Sequence, residues 1–171
     1  MEILRDVPLA QRTSLRIGGS ARFFVEAANE AEVAEACEWA RERGARFWVL
    51  GGGSNVVVPD TGLDGVVLAL GLRGVTLEDA GSGVRLRAGA GESWDTVVAR
   101  SVEAGLWGIE CLSGIPGQVG ATPIQNVGAY GQEVAETLEL VRAFDRERRS
   151  FVEIAARECA FSYRDSVFKS R

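Results

Sequence analysis

The sequence contains no histidine and only three cysteines. The absence of histidine removes the side chain that most often acts as a general base at neutral pH and most often binds metals. Cys37, Cys111 and Cys159 lie far apart without metal-ligand spacing, and their odd number argues against a disulfide framework. We therefore predict no metal site, and we expect each cysteine to be a buried thiol.

Long apolar runs and an excess of basic charge are also missing. The longest apolar run, Val66–Leu70, is far shorter than the roughly 18 residues of a membrane span, so we predict a buried strand there. The first residues carry acidic groups where a signal peptide has bases, which predicts a cytoplasmic protein. The net charge of −5 gives no electrostatic footprint for nucleic acid. An anionic ligand would therefore need local backbone N–H groups or a few placed arginines.

Apolar residues make up 46% of the 171 residues, which is enough to form a packed core. A chain of this length forms one domain or two small ones. Asn29, with Glu32 three residues later, predicts a helix N-terminus, and Gly44 predicts its end. A second helix is predicted between Ser93 and Gly105. The predicted helices cover residues 30–43 and 94–104, and the predicted strands cover 22–26, 47–50, 65–70, 75–77, 84–87, 138–144 and 151–154.

A glycine-rich turn, Gly51-Gly52-Gly53-Ser54-Asn55, follows the predicted strand at 47–50. The valines at 56–58 favour a further strand, which excludes the strand–glycine–helix order of a dinucleotide fingerprint. A P-loop is excluded because no Gly-Lys-Ser/Thr follows. Two interpretations remain: the backbone N–H groups form an anion-binding nest, or the segment is only a tight turn.

Residues 107–131 hold two prolines and six glycines, and apolar residues recur throughout. Loops this long without secondary structure are usually functional or disordered, and the apolar content argues against disorder. One interpretation is a loop that wraps a ligand, and the other is a structural Ω-loop. In the first case, the hydrogen-bonding groups would be Ser113, Thr122, Gln125 and Asn126.

Near the end of the chain stands Tyr163-Arg164-Asp165-Ser166. Arginine carries a permanent, forked positive charge that stabilises a developing oxyanion. The competing interpretation is that Arg164 forms a salt bridge with Asp165 or another acid.

Four motifs together resemble the UDP-N-acetylenolpyruvoylglucosamine reductase (MurB) family, in the order in which that family carries them. The turn at 50–55 resembles its pyrophosphate-binding turn, and the segments 115–117 and 123–131 resemble its flavin-clasping loop. Residues 163–169 resemble its catalytic-arginine segment, and residues 13–19 its N-terminal signature. The resemblance covers nearly the whole chain.

The resemblance implies an α+β, two-subdomain FAD-binding fold of the type shared with vanillyl-alcohol oxidase, with subdomains at 1–70 and 71–171 and FAD between them. It implies hydride transfer from NADPH through FAD to the enolpyruvyl group of UDP-N-acetylglucosamine enolpyruvate, giving UDP-N-acetylmuramate. Arg164 would stabilise the enolate-like intermediate, and Tyr163 would lie beside the substrate or flavin. The residues implied to bind FAD are Gly51, Gly52, Gly53, Ser54, Asn55, Ile115, Pro116, Gly117, Gly120, Ala121, Thr122, Pro123, Asn126, Gly128, Ala129 and Tyr130.

The sequence departs from the family pattern after Lys169. The family's later serine proton-donor motif and its C-terminal glutamate do not occur here, so we expect the third, substrate-binding domain to be missing. Three functions stay open: the flavin-binding part of a reductase, a FAD-binding module without turnover, and another flavin oxidoreductase of the same superfamily. The last often attaches flavin through histidine, which this chain lacks.

Overall fold

The computed structural model describes residues 1–169, which form two compact units. The first unit comprises residues 1–72 with 146–150, and the second comprises residues 73–145 and those from Phe151 onward. Ser170 and Arg171, the end of the predicted second subdomain, lie outside the described residues. The assignment of 1–70 and 71–171 as flavin-binding subdomains stays a prediction. Among the residues described, no helix is both long and apolar enough to cross a membrane.

The first unit is built on a four-stranded mixed sheet of β1 (Leu4–Pro8), β2 (Ser20–Ala27), β3 (Arg46–Leu50) and β4 (Leu63–Leu70), in the order β1-β2-β4-β3. β4 lies parallel to both of its neighbours, whereas β1 is antiparallel to β2. The buried residues Val66, Val67 and Leu68 of β4 confirm the predicted buried strand, as the interior position in a parallel pairing requires.

Helix α1 (Glu30–Glu42) connects β2 to β3 and has the predicted cap. The Asn29 side-chain oxygen accepts a hydrogen bond from the Glu32 N–H over 3.0 Å. The Glu32 carboxylate accepts from the N–H of Ala28 over 2.8 Å, one residue before the position that a capping box uses. Gly44 follows the helix at φ +58°, so the predicted end is also confirmed.

The second unit combines one helix with short strand pairs. Helix α2 buries Trp94 and Val98 against Leu112 and Val134. The indole N–H of Trp94 donates to the Leu112 carbonyl over 3.1 Å, which ties the helix to the loop that follows it. The elements are β5 (Val75–Asp79), β6 (Val84–Ala88), α2 (Trp94–Glu103), β7 (Gly128–Ala129), β8 (Gln132–Glu133), β9 (Leu140–Asp145) and β10 (Ser150–Ala155).

Two strand predictions in the first unit differ from the structure. Residues 56–58 form no strand, because Val58 turns into the core while Val57 is exposed, and the segment runs beside Gly18 instead of joining the sheet. Strand β1 was not predicted. Most of its residues are exposed, so the apolar alternation that signals a strand is missing, and pairing with β2 creates the element.

Two predictions about unstructured or buried residues need correction as well. Residues 107–131 are not devoid of secondary structure: they contain two short 3-10 helices, Glu110–Leu112 and Val119–Ala121, and strand β7. The expectation of three buried thiols holds for Cys159 but is wrong for Cys37 and Cys111, which are half-buried. All three cysteines are free.

Candidate functional site

The glycine-rich turn at 51–55 follows β3, at the carboxyl end of a strand that pairs in parallel with β4. Gly53 has φ +67°, and its carbonyl accepts a hydrogen bond from the Ser14 N–H over 2.9 Å. A Cβ at Gly53 would lie 2.1 Å from the Arg12 carbonyl oxygen. Only glycine fits this position, because both the backbone conformation and the close approach exclude a side chain.

The backbone N–H groups of this turn point to an anion site. Within residues 1–169, the N–H groups of Gly52, Gly53 and Asn55 donate to no other group of the protein. Gly52 and Asn55 are also exposed to solvent. Neighbouring N–H groups without internal acceptors are what an anion-binding nest offers, and a turn that closed on its own carbonyls would lack them. These N–H groups are open to an anion, and the anion-binding nest stays a prediction.

Residues 13–19 support this turn from the N-terminal side. A Cβ at Gly18 would lie 2.5 Å from the Val58 Cβ, and the Gly19 N–H donates to the Pro59 carbonyl over 2.9 Å. The N-terminal motif therefore packs directly against the segment that leaves the turn. Sequence spacing gave no signal of this role, because the two segments lie about 40 residues apart.

In the second unit, residues 117–120 are attached to the segment that precedes α2. The Val119 N–H donates to the Glu92 carbonyl and the Gly120 N–H to the Ala90 carbonyl, both over 2.9 Å. A Cβ at Gly120 would lie 2.8 Å from the Cβ of Ala90. This glycine thus allows the predicted flavin-clasping loop to lie flat on its neighbour.

The side chains predicted as hydrogen-bonding groups for a ligand mostly bond within the protein. Ser113 Oγ donates to the Asp95 carboxylate over 3.1 Å, and Thr122 Oγ1 donates to the Val119 carbonyl over 2.9 Å. Asn126 is buried, and its amide bonds to Glu133 and Ala135, which follow the loop. These side chains form the framework of the loop. Their contact with FAD stays a prediction.

The predicted catalytic residues lie at the tip of a tight turn. Ser162 and Asp165 exchange two backbone hydrogen bonds, of 3.1 and 3.2 Å, so that Tyr163 and Arg164 occupy the tip. Tyr163 is 83% exposed. The Arg164 guanidinium donates to Gln125 Oε1 over 3.1 Å. No carboxylate in the described part of the chain forms an ion pair with Arg164, so the salt-bridge interpretation is wrong for residues 1–169.

A cavity of about 340 Å³ in the second unit brings these residues together with part of the loop. It contains both predicted catalytic residues and three of the predicted cofactor residues, Asn126, Gly128 and Ala129. The other predicted loop residues, such as Pro116 and Thr122, lie outside its lining. The lining residues are Asn126, Gly128, Ala129, Gly131, Gln132, Glu133, Glu136, Tyr163 and Arg164.

Two carboxylates in this cavity were not predicted. Glu133 Oε2 accepts from Asn126 Nδ2 over 2.6 Å, and Glu136 Oε1 accepts from the Glu133 N–H over 3.2 Å. The only sequence signal was this acid pair three residues apart, which marks a helix start and not a site. Arg164 is the one cation among the described lining residues, beside these two carboxylates.

Other chemistry finds little support in the described residues. Between residues 1 and 169, no three His, Cys, Asp or Glu side chains are grouped so that they could hold a metal ion. Burial raises the pKa of the Cys37 thiol, and burial together with the nearby Glu158 raises that of Cys159. These two thiols are therefore not activated as nucleophiles.

Comparison with known proteins shows that this chain is similar to flavin-binding proteins. A family model described as "FAD binding domain" matches residues 21–147. The UDP-N-acetylenolpyruvoylglucosamine reductase of Streptomyces coelicolor is 50% identical over 167 residues, covering 98% of this chain and 43% of the relative. The crystal structure of the corresponding reductase (MurB) from Thermus caldophilus aligns with a TM-score of 0.75 at 31% identity, over 96% of this chain and 56% of that one.

A more distant structure shares the fold alone. The 6-hydroxy-D-nicotine oxidase of Arthrobacter nicotinovorans aligns with a TM-score of 0.62 at 19% identity, over 80% of this chain and 30% of that one. The predicted FAD-binding α+β fold is thus confirmed, and the chain spans about half the length of the curated relatives that it matches. With three quarters of its residues inside the matching model, this chain belongs to the family of FAD binding domains.

Proposed function

We propose that this chain is the FAD-binding part of an NADPH-dependent reductase that converts UDP-N-acetylglucosamine enolpyruvate to UDP-N-acetylmuramate in peptidoglycan synthesis. The carrying observation is the cavity that holds Tyr163 and Arg164 beside Gly128 and Ala129. The identity of about 50% to reductases of that name supports the same conclusion. Its substrate is then a soluble sugar nucleotide, its partners include neither nucleic acid nor a metal, and its location is the cytoplasm.

The residues of the glycine-rich turn fit the diphosphate of FAD. Gly52, Gly53 and Asn55 offer N–H groups without internal acceptors, and the side-chain-free approach at Gly53 holds them in place. In a chain of net charge −5, such local dipoles attract an anion where the overall field does not. The loop at 115–130, fastened to α2, would hold the rest of the cofactor through its backbone.

Bound FAD would supply hydride transfer, which side chains alone do not perform. The chain's own contribution is binding, orientation and charge. Arg164 presents a fixed positive charge to the developing oxyanion of the enolpyruvyl group, and its link to Gln125 restrains its orientation. Exposed Tyr163 offers a flat face and a hydroxyl beside the same cavity.

The test begins with FAD titration of the purified 171-residue protein. We expect a yellow protein, a higher melting temperature with saturating FAD, and release of free FAD on denaturation. NADPH oxidation is then measured with and without the enolpyruvyl sugar nucleotide. Dependence on that substrate is the expected result for a reductase. A folded chain that saturating FAD neither stabilises nor colours would contradict the whole proposal.

Two other functions remain as outcomes of this test. A FAD-binding module without turnover is supported by the match to a model described as "FAD binding domain". Bound flavin with no substrate-dependent NADPH oxidation would support it. Reduction of the flavin by an alcohol substrate, followed by rapid reaction of the reduced flavin with oxygen, would instead indicate an oxidase of the same superfamily.

A further inference from the structure

The side chain of Asn126 links three segments of the second unit. It is 2% exposed, and its Nδ2 donates to Glu133 Oε2 over 2.6 Å and to the Ser162 carbonyl over 3.1 Å. Its Oδ1 accepts from the Ala135 N–H over 3.1 Å. Both N–H groups and the oxygen of the amide are therefore used inside the protein, and no amide donor remains for a ligand.

A second anchor holds the same turn from its other end. Ser166, 3% exposed, donates from Oγ to the Ile124 carbonyl over 2.7 Å. Together with the Arg164–Gln125 hydrogen bond, this attaches the turn at 162–166 to three consecutive residues of the loop. The turn that carries Arg164 and the loop predicted to hold FAD are thus fastened together by side chains whose partners are 36 to 42 residues apart.

We propose that Asn126 is a positioning residue: through the Ser162 carbonyl it fixes the Tyr163–Arg164 turn at the rim of the cavity, and Ser166 provides the second anchor. Asn126 touches neither substrate nor reacting atoms in this role, in contrast to its predicted contact with the cofactor. The inference rests on the proposed function, since it assigns Asn126 an effect on the reaction through Arg164.

The test is the variant Asn126→Asp, compared with the double variant Asn126→Asp/Glu133→Gln. Asn126 has φ +44°, a conformation that aspartate tolerates nearly as well as asparagine. The single variant removes both donors and sets a carboxylate against Glu133. In the double variant, the new amide at position 133 donates to the new carboxylate at position 126, so the hydrogen bond between the two positions is restored in the opposite direction. The Ser162 carbonyl still has no donor from position 126.

Three measurements separate positioning from general stability in the FAD-loaded 171-residue protein. We expect the rate of amide hydrogen exchange in the 162–166 peptide to rise about fivefold in the single variant, because the loss of one net hydrogen bond makes local opening easier by about that factor. We expect the double variant to recover the melting temperature but not the slow exchange. In the NADPH assay, kcat should fall about tenfold or more in both variants. The KM for the sugar nucleotide and the FAD affinity should change less than twofold.

Two results would overturn the proposal. One is unchanged exchange of the 162–166 peptide in a folded Asn126→Asp protein, and the other is full recovery of kcat in the double variant. If Asn126→Asp does not fold, Ser166→Ala replaces it, with the same expected rise in exchange and fall in kcat; no change in either would also overturn the proposal. If the parent binds FAD without turnover, the reductase function fails, whereas the exchange measurement still decides the role of Asn126.

Discussion

The Asp95 carboxylate accepts a hydrogen bond from the backbone N–H of Gly114 over 2.6 Å, and it also accepts from Ser113 Oγ. Asp95 lies in the first turn of α2, so a helix that packs in the core holds the start of the predicted flavin-clasping segment. The place of Asp95 in helix α2 thus fixes where residues 113 and 114 of the loop lie.

Asp95→Ala should weaken FAD binding without removing any residue that contacts the cofactor. Loss of the two hydrogen bonds frees residues 113–117, so we expect the FAD dissociation constant to rise about fivefold, as for one net hydrogen bond. Fluorescence titration of FAD measures the change. The matched control is Thr96→Ala, an exposed neighbour on the same helix, which should leave the affinity unchanged. Equal affinities of the two variants would show that Asp95 does not position this loop.

Gly53→Ala and Gly44→Ala separate backbone strain from close approach. Both glycines have positive φ, +67° and +58°, but only at Gly53 would a Cβ meet another atom, at 2.1 Å from the Arg12 carbonyl oxygen. We expect Gly44→Ala to lower the free energy of unfolding by about 1 kcal/mol and Gly53→Ala by about 3 kcal/mol or more. Urea denaturation measures both, and similar losses would refute the tight packing at the turn.

Gly53→Ala should also abolish the rise in melting temperature that FAD produces, because the displaced turn no longer presents its N–H groups together. Gly44→Ala should retain that rise. A variant at position 53 that folds and keeps the full FAD-dependent shift would remove this turn from the diphosphate site.

Arg164→Ala should separate catalysis from cofactor binding. The guanidinium lines the cavity and forms no ion pair with any carboxylate in residues 1–169, so its removal leaves no unpaired acid behind. We expect FAD affinity to stay within twofold and kcat for the enolpyruvyl substrate to fall about 100-fold or more. Arg164→Lys, which keeps the charge but not the fork, should recover only part of the loss. The assay uses a preparation with measurable turnover, and an unchanged kcat would exclude Arg164 from catalysis.

The carboxyl of Glu110, near the beginning of the 107–131 loop, should make the stability of the protein depend on pH. Hydrogen bonds from its own backbone N–H and from that of Gly108 hold the pKa of its carboxyl below the ordinary value of 4.5. A lowered pKa in the folded state stabilises the protein above the unfolded-state pKa, and this stabilisation is lost as the pH falls through the folded-state pKa. We therefore expect Glu110→Gln to be less stable than the parent at pH 7, with a difference that shrinks below about pH 4.5. Melting curves at pH 7, 5 and 3.5 measure it, and a constant difference would exclude this carboxylate as the cause.

Most of the secondary structure was predictable, because its signals are local. Helix α1 has an N-cap, an apolar face and a glycine end within 16 residues of sequence, and β4 shows itself by an unbroken apolar run. Residues 56–58 show where such signals fail. Three valines favour a strand by propensity, but no neighbouring strand is available to them, and Val58 packs in the core instead.

The candidate site was predictable only in part, for the same physical reason. The glycine-rich turn and the Tyr163–Arg164 segment were visible as motifs. Asp95, Glu133 and Glu136 were not, since an acid near a helix start carries the same local signal whether it caps the helix or holds a distant loop. Asn126 was predicted as a cofactor residue, and the structure assigns its whole amide to partners inside the protein.

The amino-acid sequence alone thus determined the positions of the two helices, most of the strands and the glycines that permit positive φ, since these depend on residues within a few turns of one another. It also determined that the chain has no histidine, which removes the most common general base at neutral pH. Tertiary structure alone decided which backbone N–H groups stay without internal acceptors, what holds the Arg164 turn, and that Arg164 has no carboxylate partner among the described residues. The anchors of the Arg164 turn, for example, join groups that lie 36 to 42 residues apart in the sequence and that only folding brings together.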